Sequence, residues 1–423
     1  MIIYTVRAGD TVYQIAKSHS VTPAAIVQAN GLEMPDQLVV GQSLIIPSAF
    51  REHIAAAGDT LFRIAQRFGI TLQALLGANP QITNPHMIRI GQRIYLPRES
   101  FGTMLVNGYC YPNISGGVLG DILPLMSMIC VFSAQVDAEG NVTPMQNDER
   151  VVNAAKTAKA RSMLVITNLD DSGFNPEIAR AVLLSAEKQE KVLRQAMAII
   201  KQKGYGGLDV DFENVPRDAR EGLNEFLARA QAALHAEQLL LSSAVPPLTQ
   251  DNQTGLLFEG FDFTAQGKYN DYVTLMTYEW GHQGGPPRAV APLNEVHRAV
   301  EYAISRMPRE KILMGIPNYG YDWKIPYQPG TRATTISNVG GVNIARREGA
   351  AINFDIPAQT PWFRYEADGQ RHEVWFEDAR SINAKLGLAV AMGIGGVSYW
   401  SVNTMFPQNW TLVDELVKVR KDV

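Results

Sequence analysis

A chain of 423 residues with 46% hydrophobic and 19% charged content has the composition of a globular protein with a full core, and it is long enough for two or three domains. A formal net charge of −4, with no dense Lys/Arg run, argues against nucleic acid or an anionic membrane as partner and suits a neutral polymer better. No run of about 18 apolar residues could span a membrane; residues 1–6 lead straight into patterned sequence, so a Sec-type signal peptide is not expected; Cys110 and Cys130 are read as buried free thiols. In chain order, the first elements are two copies of one unit. Ala8-Gly9-Asp10-Thr11 recurs as Ala57-Gly58-Asp59-Thr60, Ile15-Ala16 as Ile64-Ala65, and Asn30 as Asn79. After one extra residue in the second copy, Gly41-Gln42 matches Gly91-Gln92, and Leu44-Ile45-Ile46-Pro47 matches Ile94-Tyr95-Leu96-Pro97. The period of about fifty residues marks a duplicated module. Each copy predicts a short strand, a Gly-Asp-Thr turn whose Asp or Thr caps a helix, a second helix, and a strand stopped by proline.

These copies resemble LysM modules over their whole length, residues 1–48 and 51–98. The resemblance implies two small βααβ domains that bind N-acetylglucosamine-containing glycans such as peptidoglycan and chitin. It also implies that backbone groups after the Gly-Asp-Thr turn and in the loop before the last strand hold the sugar. Asp10, Thr11, Asp59 and Thr60 are expected as caps rather than ligand contacts. Two weak sites in tandem would gain from linkage along a repeating polymer.

From 101 to 423, apolar runs alternate with helical stretches, the pattern of βα units around a parallel sheet. Strands are predicted at 104–109, 128–132, 161–167, 207–212, 239–245, 272–278, 312–317 and 396–400, and helices at 148–159, 185–203, 216–237 and 292–306. Eight strands make an α/β fold, a (β/α)8 TIM barrel, whose site gathers at the carboxyl ends of the strands. In the fourth, Leu208-Asp209-Val210-Asp211-Phe212-Glu213, acids alternate with apolar residues, so Asp209, Asp211 and Glu213 share one face while Leu208, Val210 and Phe212 pack outward. Three carboxyls in one row cannot all ionise cheaply, which points to catalysis. The stretch 321–377 is longer than a βα loop needs and predicts an α+β insertion at about 324–376, with a helix at 341–348.

The segment Tyr205-Gly206-Gly207-Leu208-Asp209-Val210-Asp211-Phe212-Glu213 resembles the strand-four signature of family 18 glycoside hydrolases, DGxDxDxE, with Gly206 in place of the first Asp. Leu275-Met276-Thr277-Tyr278-Glu279-Trp280 and Ser398-Tyr399-Trp400 resemble the family's sixth and last strands. The resemblance implies substrate-assisted hydrolysis. Glu213 would be the acid, and Asp211 would hold the substrate's acetamido NH and share a proton with Asp209. Tyr278 would hold the acetamido oxygen, and Trp400 would floor the sugar. Met276, Glu279, Trp280, Tyr109 and Asn168 are the further expected substrate contacts, with Glu279 either touching sugar or tuning Asp211. Neither metal nor cofactor is expected. The insertion would wall one side of the cleft and favour action near chain ends; Trp323, Trp362 and Trp375 are candidate sugar platforms, with core packing the expected role for at least two. The domain order resembles the cortex-lytic N-acetylglucosaminidases of endospore-forming bacteria. That implies a monomeric peptidoglycan hydrolase of the spore's outer layers, active on cortical fragments during germination. A chitinase and a non-catalytic glycan-binding protein are the alternatives.

Overall fold

In the computed structural model, residues 1–47, 52–68, 70–82, 84–85, 87–96 and 100–423 are described; Pro97 and the expected boundaries at 48, 51 and 98 lie outside them. In the first repeat, strands Ile2–Thr5 and Ser43–Ile46 pair antiparallel around helices Val12–Ser18 and Pro23–Asn30. The second repeats this with strands Glu52–Ile54 and Arg93–Tyr95 and helices Leu61–Arg67 and Leu72–Gly77. Thr11 and Thr60 cap the first helices, as expected. Asp10 and Asp59 do not. Asp10 instead accepts from the Arg7 amide and the Tyr4 hydroxyl, and Asp59 from the Ala56 amide, so each braces the turn ahead of the helix. The recurring asparagines pin helix to strand: Asn30 donates to the carbonyls of Ile26 and Ile45 and accepts from the Ile45 amide, and Asn79 does the same with Leu75 and Tyr95.

The body is a closed eight-stranded parallel barrel. Its strands are β1 (Gly102–Cys110), β2 (Met128–Val136), β3 (Arg161–Thr167), β4 (Gly207–Asp211), β5 (Leu240–Val245), β6 (Tyr272–Leu275), β7 (Ile312–Pro317) and β8 (Gly396–Trp400), paired in that order, with β8 returning to β1. The predicted sixth strand is too long. The Thr277 amide bonds back to the Leu275 carbonyl and the Tyr278 amide to the Met276 carbonyl, both 2.8 Å, so the chain turns out of the sheet after Leu275. The outward alternates of β4 are buried as their pattern requires, and Phe212 stacks on Phe226 of the following helix, Arg220–His235. Burying such a ring contributes roughly 2–3 kcal/mol. Helix Ala186–Lys203, capped by Ser185 and ended by Gly204 at φ +79°, delivers the chain to β4.

Between β7 and helix Ala379–Met392 stands a five-stranded antiparallel sheet with one helix, Asn338–Arg347. Its first strand, Gly320–Ile325, runs straight on from β7. The first repeat is docked onto this assembly. Gln408 of the last long helix, Pro407–Leu416, donates to Asn30 Oδ1 and the Ser43 carbonyl, and Thr411 donates to the Ala29 carbonyl. The carbonyls of Gln37, Val40 and Gly41 accept from Arg346, the Ile352 amide and Arg380. Beneath that seam, Lys385 and Glu377 form a fully buried ion pair.

Candidate active site

A cleft of about 640 Å³ opens at the carboxyl ends of the strands. Asp211 closes β4, and Glu213 follows two residues later, both lining the cleft, while Asp209 lies deeper and fully buried. Tyr109 ends β1, where its hydroxyl donates to Asp209 at 3.0 Å, and Ser242 of β5 donates to the other oxygen of the same carboxylate. No hydrogen bond joins Asp209 to Asp211, and each oxygen of Asp209 accepts from one of these hydroxyls. Asp211 Oδ1 is buried and has no partner among the described residues, an acceptor held open.

Burial pushes the Asp209 carboxyl up to about 6, against the two hydroxyl bonds that favour its charge. Asp211 is raised well above the ordinary carboxylate range by burial, then by the charges of Glu213 and Asp209. Glu213 is pushed up to about 7, first by burial and then by Glu279. Glu213 is thus divided between acid and carboxylate near neutrality, the condition for a general acid. Glu279 bears on Glu213 rather than on Asp211.

Glu279 owes its place to the turn after Tyr278. Its own backbone is left-handed at φ +66°, a conformation that costs a non-glycine residue about 1–2 kcal/mol. One carboxylate oxygen accepts from Tyr319 and Tyr321, which lie beyond β7 at the root of the insertion. Thr335, Ile336 and Ser337 also face the cleft, so the insertion walls one side of it. Met276, Tyr278 and Trp400 line the cleft as expected, Trp400 packing edge-on to Phe132 at 4.9 Å between ring centroids and near Tyr109.

Two expected contacts are corrected. Trp280 does not line the cleft; past the turn its amide bonds the Val290 carbonyl and its ring packs into the barrel's apolar layer. Asn168 is fully buried and grips the main chain of Glu213, donating to its carbonyl at 2.8 Å and accepting from its amide at 3.0 Å. It positions the acid instead of meeting sugar. Of the three candidate tryptophan platforms, Trp323 is core, and Trp362 and Trp375 stack on each other at 5.6 Å. Sequence reasoning missed Tyr111, Phe174, Leu257, Tyr319 and Tyr321 among the lining residues. The alternation Tyr319-Gly320-Tyr321 just past a strand end was the one available signal.

Gly206 lies at the opposite end of β4 from the acids. A Cβ there would sit 2.2 Å from Arg161 Cδ, and Arg161 Nε donates to the Val423 carbonyl at 2.9 Å. The absent aspartate thus concerns the foot of the barrel.

The model of Glycosyl hydrolases family 18 matches residues 122–404, and the LysM domain model matches residues 4–47 and 53–97. The chain is 37% identical over 427 residues to the cortical fragment-lytic enzyme of Bacillus anthracis, covering 99% of each. It is similar to the crystal structure of the Bacillus cereus spore cortex-lytic enzyme SleL, with a TM-score of 0.86 and 36% identity over 99% of this chain and 98% of that one. It is also similar to a chitinase from Chromobacterium violaceum, with a TM-score of 0.68 and 28% identity over 74% of this chain and 98% of that one.

Proposed function

From the premise that the chain belongs to glycosyl hydrolases family 18, we propose that it is a spore cortex peptidoglycan hydrolase, an N-acetylglucosaminidase that cleaves the β-1,4 bond following N-acetylglucosamine. The observation that carries this reading is the acid row: Glu213, half-buried at the cleft with its carboxyl near 7, above the open acceptor of Asp211. Glu213 protonates the glycosidic oxygen as the bond to the anomeric carbon breaks. The substrate's own acetamido oxygen attacks that carbon, giving an oxazolinium ion, as substrate-assisted glycosidases do. Asp211 accepts the hydrogen bond of the acetamido NH through its unpartnered oxygen and offsets the growing positive charge. Tyr278 holds the acetamido oxygen, and Trp400 supports the apolar face of the ring. Glu213, now a carboxylate, takes a proton from the water that opens the ion, and the configuration is retained. Met276 and Tyr109 enclose the sugar. Asp209, tied to Tyr109 and Ser242, supports Asp211 from below.

The one-sided wall supports action near chain ends or on short fragments. The name of the relative at 37% identity supports cortical fragments as substrate, and that of the SleL structure supports the spore as the place of action; the chain works as a monomer without metal or cofactor. The chitinase reading draws on the same acetamido sugar and on the chitinase likeness. Mass spectrometry of spore cortex fragments digested by wild type and by Glu213→Gln tests the proposal. New N-acetylglucosamine reducing ends with wild type alone are expected. Their absence, with cleavage of chitin oligomers, would favour the chitinase, and inertness toward both would favour a glycan-binding protein.

A further inference from the structure

The two LysM repeats are alike in sequence and unlike in surroundings. In the first, the catalytic body covers the last strand and the end of the second helix and takes the backbone acceptors of the loop between them, whose side chains at Gln37 and Val40 stay exposed. Ile45 is completely buried there, and Ala29 and Ile45 join the barrel's apolar cluster. The backbone acceptors of Ala29, Gln37, Val40, Gly41 and Ser43 are all taken by groups of the barrel and its insertion. The space left along the seam is about 30 Å³, enough for a water or two and too small for a sugar ring.

The matching positions of the second repeat are open. Tyr95 stands where Ile45 does and is 45% exposed. Met87 and Ile90 are 73% and 75% exposed, against 44% for Val40, the match of Ile90, whose carbonyl is taken by the Ile352 amide. Asn79 Oδ1 takes its side-chain donor from Gln81 of its own module, at 3.1 Å, where Asn30 takes one from Gln408 of the barrel. Beside Gly91 no atom of the described residues is within 4 Å of a built Cβ, whereas the Ile352 carbonyl lies 1.8 Å from the equivalent point at Gly41. An exposed tyrosine flanked by exposed apolar side chains suits a pyranose, with its apolar ring face and equatorial polar groups.

We propose that the repeats divide the work: the first is a bracket that fixes the module to the catalytic body, and the second alone grips the glycan strand, across Tyr95, Met87 and Ile90. This rests on the reading of the substrate as an N-acetylated β-1,4 glycan. The gain from linkage then lies between the second repeat and the cleft, not between two equal repeats.

Hydrogen exchange followed by mass spectrometry on the full chain carrying Glu213→Gln, with and without the N-acetylglucosamine hexamer, tests it. Ligand is expected to slow exchange in peptides covering 87–96 and to leave those covering 31–46 unchanged, and Tyr95→Ala is expected to abolish the slowing at 87–96. Slowing at 31–46, or none at 87–96, overturns the proposal. Peptides covering 276–280 report separately on the cleft. If the cleft alone responds, the division of work fails and the hydrolase reading stands; if the second repeat alone responds, the reverse holds.

Discussion

Replacing Glu213 by Gln removes the proton donor and, with it, a buried charge, so it should change stability as well as turnover. An unperturbed glutamate titrates at 4.5 and Glu213 at about 7; at about 1.4 kcal/mol per unit, the difference is worth at most ~3.5 kcal/mol. The sign follows from the raised value. Below about 4.5 the carboxyl is protonated in both folded and unfolded chains and costs nothing. Between about 4.5 and 7 the unfolded chain is ionised while the folded chain still holds its proton, so wild type loses stability across that window, and no further above it, that the Gln variant keeps. With an unfolding entropy of about 0.7 kcal/mol/K for a body of roughly 320 residues, the variant should melt up to about 5 °C above wild type at pH 8 and nearly level with it at pH 4.5. Calorimetry on both proteins across that range is the assay, with turnover expected to be nearly lost at every pH. A melting difference that does not change with pH would refute the assignment of a desolvated, proton-holding Glu213; retained turnover would refute its role.

Four other perturbations follow from particular contacts. Glu279→Gln removes the charge that helps raise Glu213, so the alkaline limb of the pH–rate profile should move from about 7 toward acid; an unmoved limb would break the link between them. Asn168→Ala frees the main chain of Glu213 and should lower kcat by about ten- to a hundredfold with KM nearly constant, because misplacement by an ångström is enough; a rise in KM alone would return Asn168 to substrate contact. Gly41→Ala and Gly91→Ala carry the same left-handed strain, at φ +83° and +82°, but only the former drives a methyl into the Ile352 carbonyl, so thermal melting should show the larger loss at Gly41, and equal losses would argue against docking of the first repeat. Lys385→Met strands Glu377 without its cation in the core and should cost about 3–5 kcal/mol in denaturant unfolding; a neutral result would mean that Glu377 is held protonated.

Where the chain's own pattern repeats, it could be read directly. Eight apolar runs marked the barrel, and the acid alternation of β4 placed Asp209, Asp211 and Glu213 on one side because a strand leaves no other choice. Legibility ended where a backbone turn or a distant partner decides. Met276-Thr277-Tyr278 has the composition of a strand, and only the two short backward bonds after Leu275 reveal that the chain has left the sheet. A lone Asn168 at a strand end gives no hint that its partner is the main chain 45 residues on. Tyr319 and Tyr321 become cleft residues only through the turn that brings Glu279 back to them. The repeats are symmetric in their own residues; what separates them, Gln408, Arg380 and Ile352, is some 300 or more positions away.

The foot of β4 carries a different lesson, about transplanting residues between relatives. Gly206 lacks the aspartate of the signature that it resembles, and the space has been taken by Arg161, anchored to the Val423 carbonyl. Writing the consensus aspartate back at 206 would put its first carbon 2.2 Å from Arg161 Cδ, so the arginine that now holds the Val423 carbonyl would have to shift to admit it. In a barrel strand the two ends are separate territories, one facing the chemistry and the other the closure of the cylinder. An engineer borrowing from other members of the family can trade at one end without touching the other, provided that the occupant of each vacancy is inspected first.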